Sequence, residues 1–275
     1  ASKALNTTRL AAKDSVRSQH GIVFTIGGYD VNMLETGAVH RYDTLAGDWE
    51  RVASLAIKRQ GLAATVLQGR IYALGGCDAH RTFAEVERYD PRRNRWDLLT
   101  PMSVARSGLG AVSIDGAVYA VGGCNDEDGG PLVSMERYTV TANLWEELAP
   151  MRLGRSSMAA ASLDNSIYVV GGMFTETLME RYCTVLDSWY ACAPLLSERS
   201  HMTLVSSRDR LYAIGGDCEE YVAAVEAYSP LHDSWERLAP MLEARRLPVA
   251  AVVCDAIYVF GGDQGASRMQ RSSAE

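Results

Sequence analysis

The sequence LYAIGG, residues 211–216, ends an apolar run with two adjacent glycines and is followed by acidic and polar residues. A glycine pair in such a place either cradles a phosphate at the start of a helix or allows a strand to turn. The same arrangement, with an aromatic residue three positions before the first glycine, occurs at 27–28, 75–76, 122–123, 171–172, 215–216 and 261–262. A phosphate loop would occur once, so the repetition favours glycines that serve the fold.

Tyrosine and tryptophan recur with these glycine pairs at constant distances. Five tyrosines each precede a tryptophan by 7 residues, and each of these tryptophans precedes the next glycine pair by 26 residues. The length varies only between glycine pair and tyrosine, where the spacing is 11 to 16 residues. Insertions are tolerated in solvent-exposed loops and not within packed strands. The spacing therefore predicts one variable loop per repeat and an otherwise fixed frame.

Within each repeat the apolar residues alternate with period two over short runs, which is typical of β-strands. In the third repeat, residues 106–114, 116–123, 132–139 and 143–148 read as four successive strands. Four antiparallel strands in each repeat of this length are the unit of a β-propeller. Small residues fill the first strand of each repeat and tryptophan lies on the last, as a wedge-shaped blade requires.

The glycine pair, the tyrosine, the tryptophan seven residues later and the string VERYD (86–90) resemble the kelch repeat over residues 21 to about 265. The resemblance implies an all-β, six-bladed kelch-type β-propeller with four-stranded antiparallel blades. We expect the last blade to be incomplete, because no tyrosine–tryptophan pair follows the glycines at 261–262.

The organisation expected from the repeats is a kelch β-propeller over residues 21–275 and a lead segment over residues 1–20. The lead segment could form an edge strand or an extension. Ala11 and Ala12 stand where later repeats have arginine and glycine, so we expect the first repeat to lack its inner strand. Truncation of the chain is the explanation that we favour for both incomplete ends.

Composition excludes several classes of partner and site. The net charge of −7 argues against nucleic acid and against an anionic membrane surface. No apolar run approaches the roughly 20 residues that span a bilayer, and the N-terminal residues lack a signal-peptide core. The six cysteines are scattered and form no CxxC, so we expect free thiols, no metal, no cofactor and a cytoplasmic protein.

Arginine and glutamate also recur with the repeat. The arginines lie sixteen residues before a glycine pair, and the glutamates two residues before a tyrosine; they are Arg59, Arg106, Arg155, Arg199, Arg245, Glu87, Glu136, Glu180 and Glu226. A cationic ring or an acid–base pair would explain them. A position that every repeat needs is more often structural, so we expect the arginines to bind backbone carbonyls and to pair with the glutamates.

Enzymatic chemistry has little support in the sequence. The acidic loop CNDEDGGP (124–131) lacks the alternating oxygen ligands of a calcium loop, and we interpret it as a solvated loop that could contact a basic peptide. Tyr182 and Cys183 are adjacent, but no paired histidines accompany them as a copper oxidase would need. We therefore predict no catalytic residues and no enzyme, although a propeller active site can be assembled across blades without a local motif.

The resemblance extends to function. Kelch-like substrate receptors line their pocket with the residue after the repeated arginine and with the residue after the glycine pair. Carried over to this sequence, with neighbouring loop residues, these partner-binding positions are Tyr29, Asn32, Gln60, Cys77, Ser107, Cys124, Asn125, Ser156, Met173, Ser200, Asp217, Glu219, Arg246 and Asp263. Hydroxyls, thiols, aspartates and one arginine suit hydrogen bonding to an extended peptide.

The resemblance thus predicts a protein-interaction module that binds a peptide or protein on the loop face. Its role would be substrate recognition for a cullin-type E3 ubiquitin ligase, reached through a BTB domain that is not in this chain. The alternatives are an actin- or cytoskeleton-binding kelch protein and a carbohydrate-acting propeller enzyme.

Overall fold

The computed structural model describes residues 9–13, 21–30, 34–126, 130–218 and 222–263, and all regular structure in them is β. Blade 1 comprises β1 (Arg9–Lys13), β2 (Ile22–Ile26), β3 (Val39–Asp43) and β4 (Asp48–Val52). Blade 2 comprises β5 (Ala63–Leu67), β6 (Arg70–Leu74), β7 (Val86–Asp90) and β8 (Arg95–Leu98). Blade 3 comprises β9 (Gly110–Ile114), β10 (Ala117–Val121), β11 (Met135–Thr139) and β12 (Leu144–Leu148).

Blade 4 comprises β13 (Ala159–Leu163), β14 (Ser166–Val170), β15 (Met179–Cys183) and β16 (Ser188–Cys192). Blade 5 comprises β17 (Thr203–Ser207), β18 (Arg210–Ile214), β19 (Val225–Ser229) and β20 (Ser234–Arg237). A two-stranded sheet follows, formed by β21 (Val249–Val253) and β22 (Ala256–Phe260). None of the described residues belongs to a helix of the length and hydropathy that crossing a bilayer requires.

The prediction of six blades is wrong. The described residues form five four-stranded antiparallel sheets, and the last sheet has two strands only. The glycine pair at 261–262 marks an inner hairpin, whereas the outer hairpin of a blade also needs the tyrosine and tryptophan that this repeat lacks. Counting glycine pairs therefore overcounts complete blades.

The innermost strands surround a central axis. β1, β5, β9, β13, β17 and β21 each contact the next in this order, and β21 contacts β1, so the described strands close a ring. The expectation that the first repeat lacks an inner strand is also wrong, because β1 pairs with β2 in antiparallel register. The rest of the lead segment 1–20 lies outside the described residues.

The glycine pairs place the backbone of one blade against the next. Gly122 has a φ of 56°, and a Cβ atom on it would lie 2.6 Å from the carbonyl oxygen of Arg155. Gly123 donates its N–H to that same carbonyl at 2.8 Å. A side chain at Gly122 would separate the two blades, so the structural interpretation of the glycines is confirmed.

A buried arginine begins each of the later repeats. Arg59 is fully buried, and its guanidinium donates to the carbonyls of Gly75 at 3.0 Å and Glu85 at 2.8 Å and to Glu87 at 2.8 Å. Its own carbonyl accepts the N–H of Gly28 in blade 1 at 2.9 Å. Arg106, Arg155 and Arg199 repeat this pairing with Glu136, Glu180 and Glu226. The predicted structural role of these arginines and glutamates is confirmed.

The same glutamates hold the connections between blades. Glu87 accepts the backbone N–H groups of Ala56 at 2.8 Å and Ile57 at 3.3 Å, in the segment that leads from blade 1 into blade 2. Glu136 accepts from Ser103 and Val104 in the equivalent segment. Hydrogen bonds to a buried carboxylate offset the cost of removing its charge from water.

A second contact between blades lies at the periphery. The side chain of Asn94 accepts the N–H of Ala53 at 2.8 Å, and Trp96 donates its indole N–H to the carbonyl of Ala53 at 2.8 Å. The hydroxyl of Tyr89 also donates to Asn94, and its ring packs on Trp96 with centroids 5.1 Å apart. Both backbone groups of one residue in blade 1 are thus bound by blade 2. We call this arrangement the peripheral latch.

The peripheral latch recurs at the next three junctions. In each case one residue of the preceding blade is bound by an asparagine or aspartate and a tryptophan; the sets are Thr100 with Asn143 and Trp145, Ala149 with Asp187 and Trp189, and Ala193 with Asp233 and Trp235. In blade 1 the equivalent position is Gly47, and Trp49 packs instead on Phe260 of β22 at 5.6 Å.

Replacing Asn94 tests the peripheral latch. Asn94 has a φ of 47°, so Asn94→Gly keeps the backbone conformation and removes only the side-chain acceptor. We expect the free energy of unfolding to fall by about 1–2 kcal/mol, because Tyr89 and Ala53 lose their partner. Urea denaturation measures the change, and Asn94→Asp, the residue type of blades 4 and 5, is the matched control. Equal stability of the two variants would show that the latch contributes nothing.

The two latch aspartates predict an acid-dependent loss of stability. Hydrogen bonds from the Tyr182 hydroxyl and the Ala149 N–H lower the pKa of Asp187. Bonds from the Ala193 N–H and the Tyr228 hydroxyl likewise lower the pKa of Asp233. A carboxylate whose pKa is lowered on folding stabilises the protein above its unfolded pKa of about 3.9, and this contribution is lost as the pH falls through the folded value.

We therefore expect the double variant Asp187→Asn, Asp233→Asn to lose less stability than the native sequence between about pH 5 and pH 2. Asparagine retains the acceptor, as in blades 2 and 3. Urea unfolding at a series of pH values measures the difference, with Asp164→Asn in an exposed turn as control. Parallel pH profiles for the native protein and the double variant would contradict the prediction.

Candidate functional site

A cavity of about 380 Å³ lies on the axis, where the innermost strands begin. Its mouth is lined by polar residues that directly follow the buried arginines, and its wall by small residues of the inner strands, among them Ala64, Ala111, Ala160 and Ala250. The small residues that the sequence places on the first strands therefore face the axis, as predicted. This leaves a polar mouth above a largely apolar wall.

In four of the repeats the two predicted positions are backbone partners. The residue after the arginine pairs with the residue after the glycine pair in Gln60–Cys77, Ser107–Cys124, Ser200–Asp217 and Arg246–Asp263. Each pair exchanges two N–H···O bonds of 2.8–3.0 Å. The backbone that carries these side chains is consequently held by two hydrogen bonds in each pair.

A belt of backbone hydrogen bonds runs between blades at the same level. It joins the residues two positions after each arginine, which all have positive φ: Gly61, Gly108, Ser157, His201 and Leu247. The N–H of each residue from Gly108 onward donates to the carbonyl of the preceding member, at 2.8, 2.9, 3.1 and 2.8 Å. All five line the cavity. We call this chain of bonds the axial belt.

Charged side chains meet on one side of the mouth. The carboxylate of Asp217 lies 3.0 Å from Ser200 Oγ, 2.9 Å from His201 Nδ1 and 2.8 Å from Arg246 Nε. Ser200 Oγ also lies 2.8 Å from the same ring nitrogen of His201. A nucleophile and an orienting carboxylate would have to occupy opposite nitrogens of the histidine. This geometry serves hydrogen bonding and does not form a catalytic triad.

Neutral and thiol side chains occupy the other side. Gln60 donates to Cys77 Sγ at 2.8 Å, and Ser107 Oγ lies 3.5 Å from Cys124 Sγ. Burial raises the pKa of the Cys77 thiol above its ordinary value, so the thiol is protonated at neutral pH. Within the described parts of the chain, no three histidine, cysteine or carboxylate side chains group as metal ligands. Neither side of the mouth offers a metal centre among those residues.

The structure brings together six of the predicted site residues. Gln60, Cys77, Ser107, Cys124, Ser156 and Arg246 line the cavity. Ser200 and Asp217 contact the ring of His201, which lines the cavity, while Asp263 pairs with Arg246 through its backbone. Asn32 and Glu219 lie outside the described residues.

Three predicted residues are placed elsewhere. Tyr29 pairs with Glu35 within the loop of blade 1, and burial raises the pKa of its phenol. Met173 is 43% exposed and its N–H bonds to the Ser156 carbonyl, while Asn125 precedes the loop residue Asp126, which accepts the N–H of Thr82 in blade 2. None of the three is among the described cavity-lining residues.

Sequence reasoning missed the residues of the axial belt, above all His201. The residue type at this position differs from blade to blade, so only its fixed place two residues after the arginine could have indicated it. The only hint in the residue types is that two of the five, Gly61 and Gly108, are glycines, which adopt the positive φ of this position without strain.

Comparison with family models assigns the fold to a family. The model of the Kelch motif matches residues 58–103, 105–152, 154–196 and 198–242, which is well over half of the chain. The chain belongs to the kelch family. Each matched segment begins just before a buried arginine and ends just after a tryptophan-bearing strand, so the kelch repeat coincides with one blade and its entry segment.

Curated relatives of this kelch propeller match it over short segments. It is similar to Kelch-like ECH-associated protein 1B of Danio rerio (38% identical over 55 residues, 20% of this chain and 9% of the relative). It is also similar to Kelch-like protein 9 (36% over 88 residues, 28% and 14%) and Kelch-like protein 42 (32% over 53 residues, 19% and 11%), both of Mus musculus. The chain thus spans at most about a seventh of these relatives' length.

Among solved structures, that of YjhT superposes with a TM-score of 0.82 at 14% identity, covering 99% of this chain and 95% of that one. This likeness shows the fold alone. The kelch motifs and the Kelch-like relatives support a protein-interaction module, which is the coarser part of the functional prediction. The absence of enzymatic activity and the actin and carbohydrate alternatives stay predictions.

The half-buried position of Cys77 predicts slow alkylation. Because its pKa is raised, we expect iodoacetamide at neutral pH to modify it about tenfold more slowly than the exposed Cys218. Peptide mass spectrometry after timed quenching measures both rates in one sample. In urea the two rates should converge. Equal rates in the folded protein would mean that Cys77 is not protected at the mouth.

Proposed function

We propose that this kelch propeller binds an extended peptide segment of a partner protein at the mouth of the axial cavity. The observation that carries the proposal is the set of unlike polar side chains at that mouth, of which Gln60, Ser107 and Arg246 belong to residues with paired backbones. A cavity of about 380 Å³ falls within the range of ligand pockets in proteins. It can receive one or two side chains while the peptide backbone remains at the mouth.

The side chains at the mouth suit a polar peptide backbone. Gln60, Ser107 and Ser156 offer an amide and hydroxyls, which can donate to peptide carbonyls and accept peptide N–H groups. Arg246 and His201 add donors on the opposite side, beside the carboxylate of Asp217. A ligand that pairs with both sides is fixed in direction across the mouth. The variety of residue types would give each blade a separate part in specificity.

We further propose that the bound partner is a substrate of a cullin-type E3 ubiquitin ligase. The similarity to proteins named Kelch-like supports this role, and the link to the ligase would come through a BTB domain outside this chain. A cytoplasmic location is part of the same proposal. It is supported by the six cysteines, all within the described residues and all free thiols, as in reducing compartments.

The test compares captured partners in cells that express the full-length protein. The double variant Gln60→Ala, Ser107→Ala removes two polar groups from the mouth, and Leu186→Ala, exposed at the far end of blade 4, is the control. We expect the partners to fall about fivefold or more with the double variant, while the control captures them as the native protein does. Binding of a synthetic peptide from the captured partner, measured by calorimetry, should follow the same order.

The ligase role has a separate readout in the same experiment. Cullin should be recovered with the native protein and with both variants, because its link lies outside the cavity. If the double variant loses the partners and no sample contains cullin, the peptide site is supported and the ligase role is overturned. Partners that are captured equally by the double variant would overturn the peptide site.

A further inference from the structure

The loop that enters β15 of blade 4 is the shortest in the ring, with 11 residues from first glycine to tyrosine. Thr175 folds it tightly, since its hydroxyl donates to the Gly171 carbonyl at 2.8 Å and its N–H to the Gly172 carbonyl at 3.1 Å. The N–H of Leu178 closes the turn on the Thr175 carbonyl at 2.8 Å. The loop therefore has a defined shape, although it contributes little to the core.

Phe174, at the tip of this loop, combines backbone strain with exposure. Its φ is 65°, and 78% of its surface is exposed. An aromatic residue in this region costs on the order of 1–2 kcal/mol relative to glycine. The N–H of Phe174 donates to Glu176 at 3.0 Å, which holds the conformation without burying the ring. Thirteen other described non-glycine residues also have a positive φ, so it is the exposure of the aromatic ring that marks Phe174 as a surface for a partner.

The loop tip lies next to the cavity mouth. Met173, 43% exposed, precedes Phe174 and donates its N–H to the carbonyl of Ser156 at 3.0 Å. Ser156 lines the cavity, so a ligand at the mouth extends naturally over Met173 and Phe174. We call these two residues the blade 4 ridge.

Acidic groups flank the blade 4 ridge. Glu176 follows Phe174 by two residues, and its carbonyl accepts the N–H of Arg199, which brings Glu198 alongside. Glu198 is exposed, and neither carboxylate forms an ion pair with another described residue. The whole chain carries a net charge of −7. A cation supplied from outside would complement this surface.

We infer that the blade 4 ridge binds a large apolar side chain of the partner and that a lysine or arginine close to it in the partner faces Glu176 and Glu198. This inference rests on the proposed peptide site and names the chemistry of its ligand. Phe174 supplies contact area at small conformational cost, as aromatic anchors do at interfaces.

A random-peptide phage library panned on the 275-residue chain provides defined probes. We expect enriched peptides to carry an aromatic or large aliphatic residue within a few positions of lysine or arginine. Synthetic versions should bind Phe174→Gly about tenfold or more weakly than the native chain. Leu186→Ala, which truncates a residue 62% exposed at the opposite end of β15, should bind them as the native chain does.

Two further measurements separate binding from folding. Phe174→Gly relieves the strained φ, so its urea midpoint should equal or exceed that of the native chain while binding is lost. Glu198→Lys should weaken the same peptides and reduce the salt dependence of their binding.

The outcomes are distinguishable. Peptides that bind Phe174→Gly normally but lose binding with Gln60→Ala, Ser107→Ala would overturn the inference and leave the proposed peptide site intact. Enriched peptides without a basic residue would overturn the charge complementarity. A library that yields no binding peptide would count against both the ridge and the peptide site.

Discussion

The buried arginine at the start of each later blade is the interaction on which the site depends. Arg59 binds two carbonyls and a glutamate of its own blade, while its carbonyl accepts an N–H from the preceding blade. A buried guanidinium is stable only when its N–H groups are hydrogen-bonded, so the backbone around Arg59 is held in one position. Gln60 follows directly and lines the cavity. The geometry of the mouth is therefore a consequence of a buried charge.

Neighbouring blades are joined by two sets of contacts, the axial belt near the axis and the peripheral latch at the outside. The axial belt uses backbone groups alone, although its members carry side chains that range from glycine to histidine and leucine. The peripheral latch uses tryptophan, tyrosine and an asparagine or aspartate, because the wedges diverge there. The loops between glycine pair and tyrosine also contact the neighbouring blade, as Glu176 does through the N–H of Arg199, while the loop tip at Phe174 is exposed. Their length and sequence can change, as the short loop of blade 4 illustrates.

Features that recur in every repeat can be predicted from the sequence, whereas features that differ between blades are missed. The constant spacings identify the strands and the buried arginines, because each recurs with the repeat. The number of blades was overcounted, because the glycine pair reports an inner hairpin only. Met173 was placed in the cavity by its repeat position, yet the short loop of blade 4 turns it outward. His201 was missed because its position is defined by backbone conformation and not by residue type.

The axial belt has an evolutionary consequence. Because its bonds run from main chain to main chain, their formation does not depend on which side chain each member carries; glycine, serine, histidine and leucine all occur. The constraint on these positions is a left-handed φ, which glycine adopts without strain and which costs other residues roughly 1–2 kcal/mol. Substitutions among the non-glycine members Ser157, His201 and Leu247 would therefore leave this cost unchanged, so duplicated copies of such a propeller could acquire new ligand preferences there. At Gly61 and Gly108 the backbone itself limits such divergence, because a side chain there would be strained.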